Sequence, residues 1–172
     1  MARTKMTYLY CLDDHRNTAD EIKKRFSDTS RYKVESFYSI EDFVVQFRKG
    51  LEPLSCKVAI IAIPEAKDKL DNYNDVTREL KRIDPGSGII LLVSQQLMDE
   101  IRKLIMYNID DYIPISQNSV TRIHNAVKKI ISENNITINR KFRNISFYIL
   151  AAFVLISALG LLILYLKFPH LF

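Results

Sequence analysis

Between Ile145 and Leu166 the chain runs 22 residues without an Asp, Glu, Lys, Arg or His. As a helix at about 1.5 Å per residue this run is ~33 Å long, against ~30 Å for the hydrocarbon core of a bilayer. A core helix this apolar would need protein on every face, so the run reads as a transmembrane helix. Its flanks agree: Arg140, Lys141 and Arg143 precede it, Lys167 follows it, and Phe147, Tyr148, Tyr165 and Phe168 sit near its ends, where basic and aromatic side chains meet the lipid interface. Ser157 and Gly160 share a helical face, and Ala151 precedes Ala158 by one heptad. Close helix contact is therefore sterically open, although no GxxxG is present.

Basic residues set the orientation. Lys128, Lys129, Arg140, Lys141 and Arg143 lie before the run, against Lys167 and His170 after it, so the positive-inside bias keeps the N-terminal part in the cytoplasm. The apolar stretch after Met6 is too short for a signal peptide, and Asp13 and Asp14 interrupt it. The sequence thus describes a single-pass, tail-anchored chain. Its expected parts are a cytoplasmic domain over 1–134, a juxtamembrane linker or helix extension over 135–144, the span over 145–166 and a short extracytoplasmic tail over 167–172. Cys11 and Cys56 fall in or beside predicted strands without CxxC spacing, as expected of buried thiols in a reducing compartment. The glycosylation-type triplets at Asn135 and Asn144 then read as chance matches beside the membrane.

Basic residues number 25 against 20 acidic ones, for a net charge of +5. Arg140, Lys141 and Arg143, placed to meet anionic headgroups, account for part of that excess, so lipid is the expected partner and no nucleic-acid reading is needed. The roughly 135 residues before the tail suffice for one domain with its own core. Short apolar runs there alternate with helical patterns. Strands are expected at Tyr8–Leu12, Tyr32–Phe37, Val58–Ile63, Ile89–Val93 and Tyr112–Ile115. Thr18 to Glu21 has capping-box spacing before the stripe Ala19, Ile22, Phe26. Ser39 caps the stripe Ile40, Phe43, Val44, Phe47, which Gly50 is expected to end. Further stripes are Val76, Leu80, Ile83; Leu97, Ile101, Leu104, Ile105; and Val120, Ile123, Val127, Ile130, Ile131. Five strand-helix units in succession imply an α/β fold, a doubly wound five-stranded parallel sheet with helices on both faces. Sites in such a sheet form beyond the C-terminal ends of the strands.

The residues at those ends resemble the response-regulator receiver family of CheY-like, flavodoxin-like signalling domains. Leu12-Asp13-Asp14 looks like the acidic turn that in receivers helps hold Mg²⁺. Ser94 falls near the family's switch Ser/Thr, and Asn108-Ile-Asp-Asp-Tyr-Ile113 is similar to its Gly-Ala-Asp-Asp-Tyr-Leu segment. The resemblance covers Thr7 to Glu133, about three quarters of the chain. It also exposes two departures. Ala62 stands where the third strand of a receiver ends in its phosphoacceptor Asp, and Ile115-Ser116 replaces the Lys-Pro pair after the fifth strand. Aspartyl phosphorylation needs a carboxylate nucleophile, a metal and a cation to hold the product, and two of these three are missing. No cofactor is expected, with Asp13 and Asp14 as the pair a Mg²⁺ ion would use if one bound. Asp68 and Asp71 are the remote alternatives as acceptor. His15, His124 and His170 do not assemble into a ligand set, and no phosphate loop, nucleophile elbow or HExxH is present, so no enzyme activity is expected.

By the resemblance, the chain is a degenerate pseudo-receiver at the inner face of a bacterial cytoplasmic membrane, working through protein contacts without phosphorylation. Receivers commonly pair through the fourth helix, fifth strand and fifth helix, which singles out Lys103, Asp111, Arg122 and Lys129, with a protein partner or a second copy as the occupant. Tyr73 and Tyr107 are further expected to be exposed for an interface. Two alternatives stay open: the transmembrane helix itself works as a subunit or effector of a membrane assembly, or the domain is a receiver with unconventional phosphorylation chemistry.

Overall fold

The computed structural model describes residues 4–13, 16–49, 54–63, 70–104 and 109–167. In chain order these form β1 (Thr7–Leu12), α1 (Arg16–Arg25), β2 (Tyr32–Phe37), α2 (Ile40–Arg48), β3 (Cys56–Ala62), α3 (Leu70–Ile83), β4 (Gly88–Val93), a 3-10 turn (Gln95–Leu97), α4 (Met98–Leu104), β5 (Asp111–Pro114) and α5 (Ser119–Lys167). The five strands make one sheet in the order β2-β1-β3-β4-β5, all parallel, which is the doubly wound order of receivers and flavodoxins.

Strand parity explains why both faces are covered. Tyr10, Leu12, Ala59, Ile61, Ile89, Leu91 and Val93 pack with Phe43, Phe47, Leu80 and Ile101 of α2, α3 and α4. The alternate residues Leu9, Cys11, Val58, Ile60, Ile90, Leu92 and Ile113 pack with Ile22 and Phe26 of α1 and Ile123, Val127 and Ile130 of α5. Because β3 and β4 are buried on both sides, they need continuous apolar runs. At the start of β4 the packing is close enough to demand glycine: a Cβ on Gly88 would lie 2.7 Å from the Ile130 side chain.

Several local expectations change. α1 opens at Arg16, so Thr18 lies inside its first turn instead of capping it. Ser39 does cap α2, accepting from the Asp42 N–H at 3.1 Å, but that helix ends at Arg48 with Lys49 as its C-cap, and Gly50 lies outside the described residues. β3 starts two residues earlier than its apolar run, because Lys57 stays buried by donating its ammonium to the Phe47 and Lys49 carbonyls at 2.6 and 3.0 Å. There it satisfies the carbonyls that the end of α2 leaves open. Tyr73 is buried at 4 % exposure in the core beneath α3. The aromatic ring is a packing residue there, and the expectation of an exposed Tyr73 interface is withdrawn; Tyr107 lies outside the described residues.

α5 runs as one helix of 49 residues, about 73 Å at helical rise. Residues 135–144 therefore extend the helix and form no loop. Beginning just beyond the C-terminal end of β5, α5 runs antiparallel to the strands and leaves the domain at their N-terminal edge. A polar clamp marks the exit: the Thr4 N–H and hydroxyl donate to Asn135 Oδ1 at 2.6 and 2.9 Å, and Asn134 Nδ2 donates to Thr4 Oγ1 at 3.1 Å. Beyond it, Ile145, Phe147, Tyr148, Phe153, Ile156 and Leu159 are all more than half exposed. Among the described residues this is one helix long and apolar enough to cross a membrane, and no residue of its most apolar 18-residue window is buried.

Candidate functional site

The C-terminal edge of the sheet gathers the residues singled out for a receiver pocket. Leu12 pairs with Ile61, so Asp13 and Ala62 end adjacent strands side by side. Ala62 pairs in turn with Leu92, and Val93 with Pro114, which brings Ser94 and Ile115 to the same edge. Backbone bonds extend the ladder here: the Asp13 N–H donates to Phe37 O at 3.1 Å, the Ile63 N–H to Leu92 O at 2.9 Å and the Ile115 N–H to Val93 O at 2.9 Å. Asp13, Ala62, Ser94 and Ile115 thus share one rim, while Asp14, His15 and Asp68 lie outside the described residues, as does the Asp71 side chain.

The chemistry available on that rim is limited. Asp13 is buried, at 6 % exposure, and Ala62 beside it presents a methyl group. Ile115 turns an aliphatic side chain to solvent, 55 % exposed. Ser94 precedes the 3-10 turn without capping it by its side chain, and its buried hydroxyl has no hydrogen-bond partner among the described residues. Among those residues no three His, Cys, Asp or Glu side chains cluster in a way that would hold a metal ion. Of the Asp13 and Asp14 pair expected to meet a Mg²⁺ ion, only Asp13 is among the described residues, and Ala62 beside it adds no side-chain oxygen.

Of the Asp-Asp-Tyr segment, the first acid acts at the opposite edge of the sheet. Asp110 Oδ2 accepts from the Ile89 N–H at 2.7 Å and pairs with Lys81 Nζ at 3.1 Å, while the Asp110 N–H donates to Ile89 O at 2.9 Å. Lys81 also donates to the Ser87 carbonyl at 2.6 Å. The motif fixes where β4 and β5 start, a folding role that its spacing alone did not reveal. Lys103, Asp111, Arg122 and Lys129 are all exposed, on α4, β5 and α5. The thiols are sealed inside the sheet: burial pushes both Cys11 and Cys56 up to about 12, with Asp13 adding to the effect at Cys11. Neither is a reactive thiolate at neutral pH. His124 packs against the Phe26 ring, 5.3 Å between centroids, and belongs to no group of three metal-ligating side chains among the described residues. A groove of about 740 Å³ lies between α2 and α3, lined by Arg48, Asp75, Arg78, Glu79 and Arg82. Its charges are of both signs, and Arg48 already pairs with Glu79 at 2.7 Å.

No protein-family model matches the chain, and no curated protein matches it in sequence. Solved structures do match. A response regulator receiver domain protein from Clostridium thermocellum superposes with a TM-score of 0.57 at 16% identity, over 76% of this chain and 98% of that one. A streptococcal redox sensor described as evolved from two-component response regulators gives 0.59 at 15% identity, over 78% of this chain and 55% of that one. A pilus assembly protein, CpaE, from Caulobacter crescentus gives 0.51 at 16% identity, over 73% and 92%. At these identities the likeness is one of fold, and the fold is that of the response-regulator receiver. Receiver architecture recurs in proteins described as regulators, redox sensors and assembly factors, so function has to be read from the rim and the tail.

Proposed function

We propose that this chain is a phosphorylation-independent pseudo-receiver, anchored in a bacterial cytoplasmic membrane by α5 and acting through protein contacts on its cytoplasmic domain. The observation that carries the reading is Ala62 at the end of β3, directly beside Asp13: the position where the fold offers a phosphoacceptor has no oxygen to phosphorylate. Ile115 adds to it, since an exposed aliphatic group cannot hold a phosphoryl anion. What the rim retains is shape, and the exposed Lys103, Asp111, Arg122 and Lys129 give the α4-β5-α5 side charges for a protein partner or a second copy. Arg140, Lys141 and Arg143 then lie at the headgroups, where each cation contributes on the order of 1 kcal/mol. A second reading, that α5 is a working part of a membrane assembly, is favoured by the unbroken helix from domain to span, which would transmit a twist or tilt that a flexible linker would absorb.

Three measurements test the first reading. Treatment with acetyl phosphate or a histidine kinase should leave the intact mass unchanged; a hydroxylamine-labile adduct of about 80 Da on Asp13, Asp14, Asp68 or Asp71 would defeat it. The full-length chain should stay with membranes through carbonate extraction, and Leu159→Arg, costing at least ~2.5 kcal/mol at mid-bilayer, should release part of it. Protease applied outside spheroplasts should spare the domain. A full-length chain that is soluble without detergent would overturn the anchor.

A further inference from the structure

The direction of α5 decides which end of the domain faces lipid. Resting on the anchor reading above, the N-terminal edge of the sheet, where Thr4 is clamped to Asn135, is the end turned toward the bilayer, and the rim of Asp13 and Ala62 is the end turned away. From Asn135 to Ile145 is ten residues of helix, about 15 Å. A headgroup layer of about 5–8 Å per leaflet fills part of that distance, leaving a gap close to the ~8 Å Debye length at physiological salt. The edge is thus within electrostatic reach of the membrane surface.

The two edges differ in charge balance. The membrane-facing edge carries Lys5, Arg25, Arg31, Lys49 and Arg82 alongside Asp28, Asp84, Asp110 and Glu133, whereas Asp13, Glu41, Asp42 and Asp99 lie toward the far edge with Arg122. Cations in the last turns of helices complement helix dipoles in any protein, so Arg25 and Arg82 have a purely structural reason to be there. Lys5 and Arg31 do not: one leads into β1 and the other precedes β2. Together with Thr4, Thr7, Tyr32, Ile131 and Asn135 they line a groove of about 320 Å³ at the point where α5 leaves the domain. Arg31 touches Asp28 at 3.5 Å with 77% of its own side chain exposed, so its guanidinium retains free donors.

We propose that this groove and the edge around it form a second lipid contact, in which Lys5 and Arg31 engage the phosphate of an anionic phospholipid and hold the domain base-down on the membrane. The cations supply the charge, and the rigid α5 supplies the height. Base-down docking leaves the rim and the α4-β5-α5 side open to the cytoplasm.

The test uses the full-length chain in nanodiscs, with a fluorophore on Thr29→Cys. Thr29 is exposed in the turn beside the groove, and the native thiols are buried. Lipids with nitroxide-labelled headgroups report proximity by quenching. Discs containing phosphatidylglycerol should quench at least about twofold more than discs of phosphatidylcholine alone, and about 1 M salt, with a ~3 Å screening length, should abolish the difference. Lys5→Gln with Arg31→Gln should remove most of the difference, while Glu41→Gln at the far edge should leave it. Equal quenching in neutral and anionic discs, or quenching indifferent to the double substitution, overturns the proposal while the anchor stands. A chain that does not enter discs overturns both.

Discussion

The two edges of this sheet use their polar residues differently. At the N-terminal edge they hold the fold together: Lys57 closes the carbonyls of α2, Asp110 receives the Ile89 N–H, Lys81 ties Asp110 to Ser87, and Thr4 clamps β1 to α5. At the C-terminal edge Ala62 and Ile115 present aliphatic side chains, and the Ser94 hydroxyl is buried with no partner among the described residues. The bonds at the N-terminal edge fix where strands begin.

The sharpest way to break this contrast is Asp110→Ala. It leaves the Ile89 N–H without its acceptor and Lys81 without its ion pair, and should cost about 2–3 kcal/mol, with Asp110→Asn recovering part of that by restoring an acceptor. Urea denaturation of a fragment ending at Arg140, which keeps the Thr4 clamp intact, measures both. A loss below about 1 kcal/mol would mean that the N-terminal edge is no more committed to folding than the rim.

The converse experiment adds chemistry to the other edge. Ala62→Asp with Ile115→Lys places a second carboxylate beside Asp13 and a cation across the rim. In EDTA the paired carboxylates should repel and the variant should be slightly less stable than the parent chain. Mg²⁺ at about tenfold its Kd should return ~1.4 kcal/mol by binding the folded form alone. Thermal unfolding with and without Mg²⁺ reads this directly. A melting temperature indifferent to the metal would show that the ends of β3 and β5 do not align on a receiver pocket.

Most of the fold was legible in the sequence because burial on both faces leaves a strong pattern. Apolar runs as short and continuous as Val58–Ile63 and Ile89–Val93 suit central parallel strands, and the helical stripes of Phe43, Phe47, Ile123 and Val127 all pack where their spacing puts them. What was not legible depends on contacts between distant residues. The Lys57 ammonium looks like a solvated strand terminus until the end of α2 is placed beside it. Tyr73 looks exposed until β1, β3 and β4 are laid beneath α3. At the rim, the resemblance to receivers named Asp13, Ala62, Ser94 and Ile115, and the strand pairing brings them to one edge. Asp110 was named only within a segment that resembles receivers, and its bond to the Ile89 N–H is again a contact between distant residues.

The smallest expected effect concerns His124, which lies along α5 between the two edges and belongs to neither. Burial against Phe26 lowers its pKa below the ordinary 6.5, and the positive charges of Lys128 and Arg25 lower it further. A base with a depressed folded pKa takes up its proton more readily when unfolded. As pH falls through 6.5 the unfolded chain binds that proton first, and stability should decline until the folded pKa is passed. Above 6.5 both states are neutral and the effect vanishes. His124→Gln should therefore flatten the stability of the domain on the acid side of 6.5 and leave it unchanged at pH 8, which a pair of denaturant titrations on either side of that value would show. An unaltered acid slope in the variant would assign it to carboxylates and not to His124.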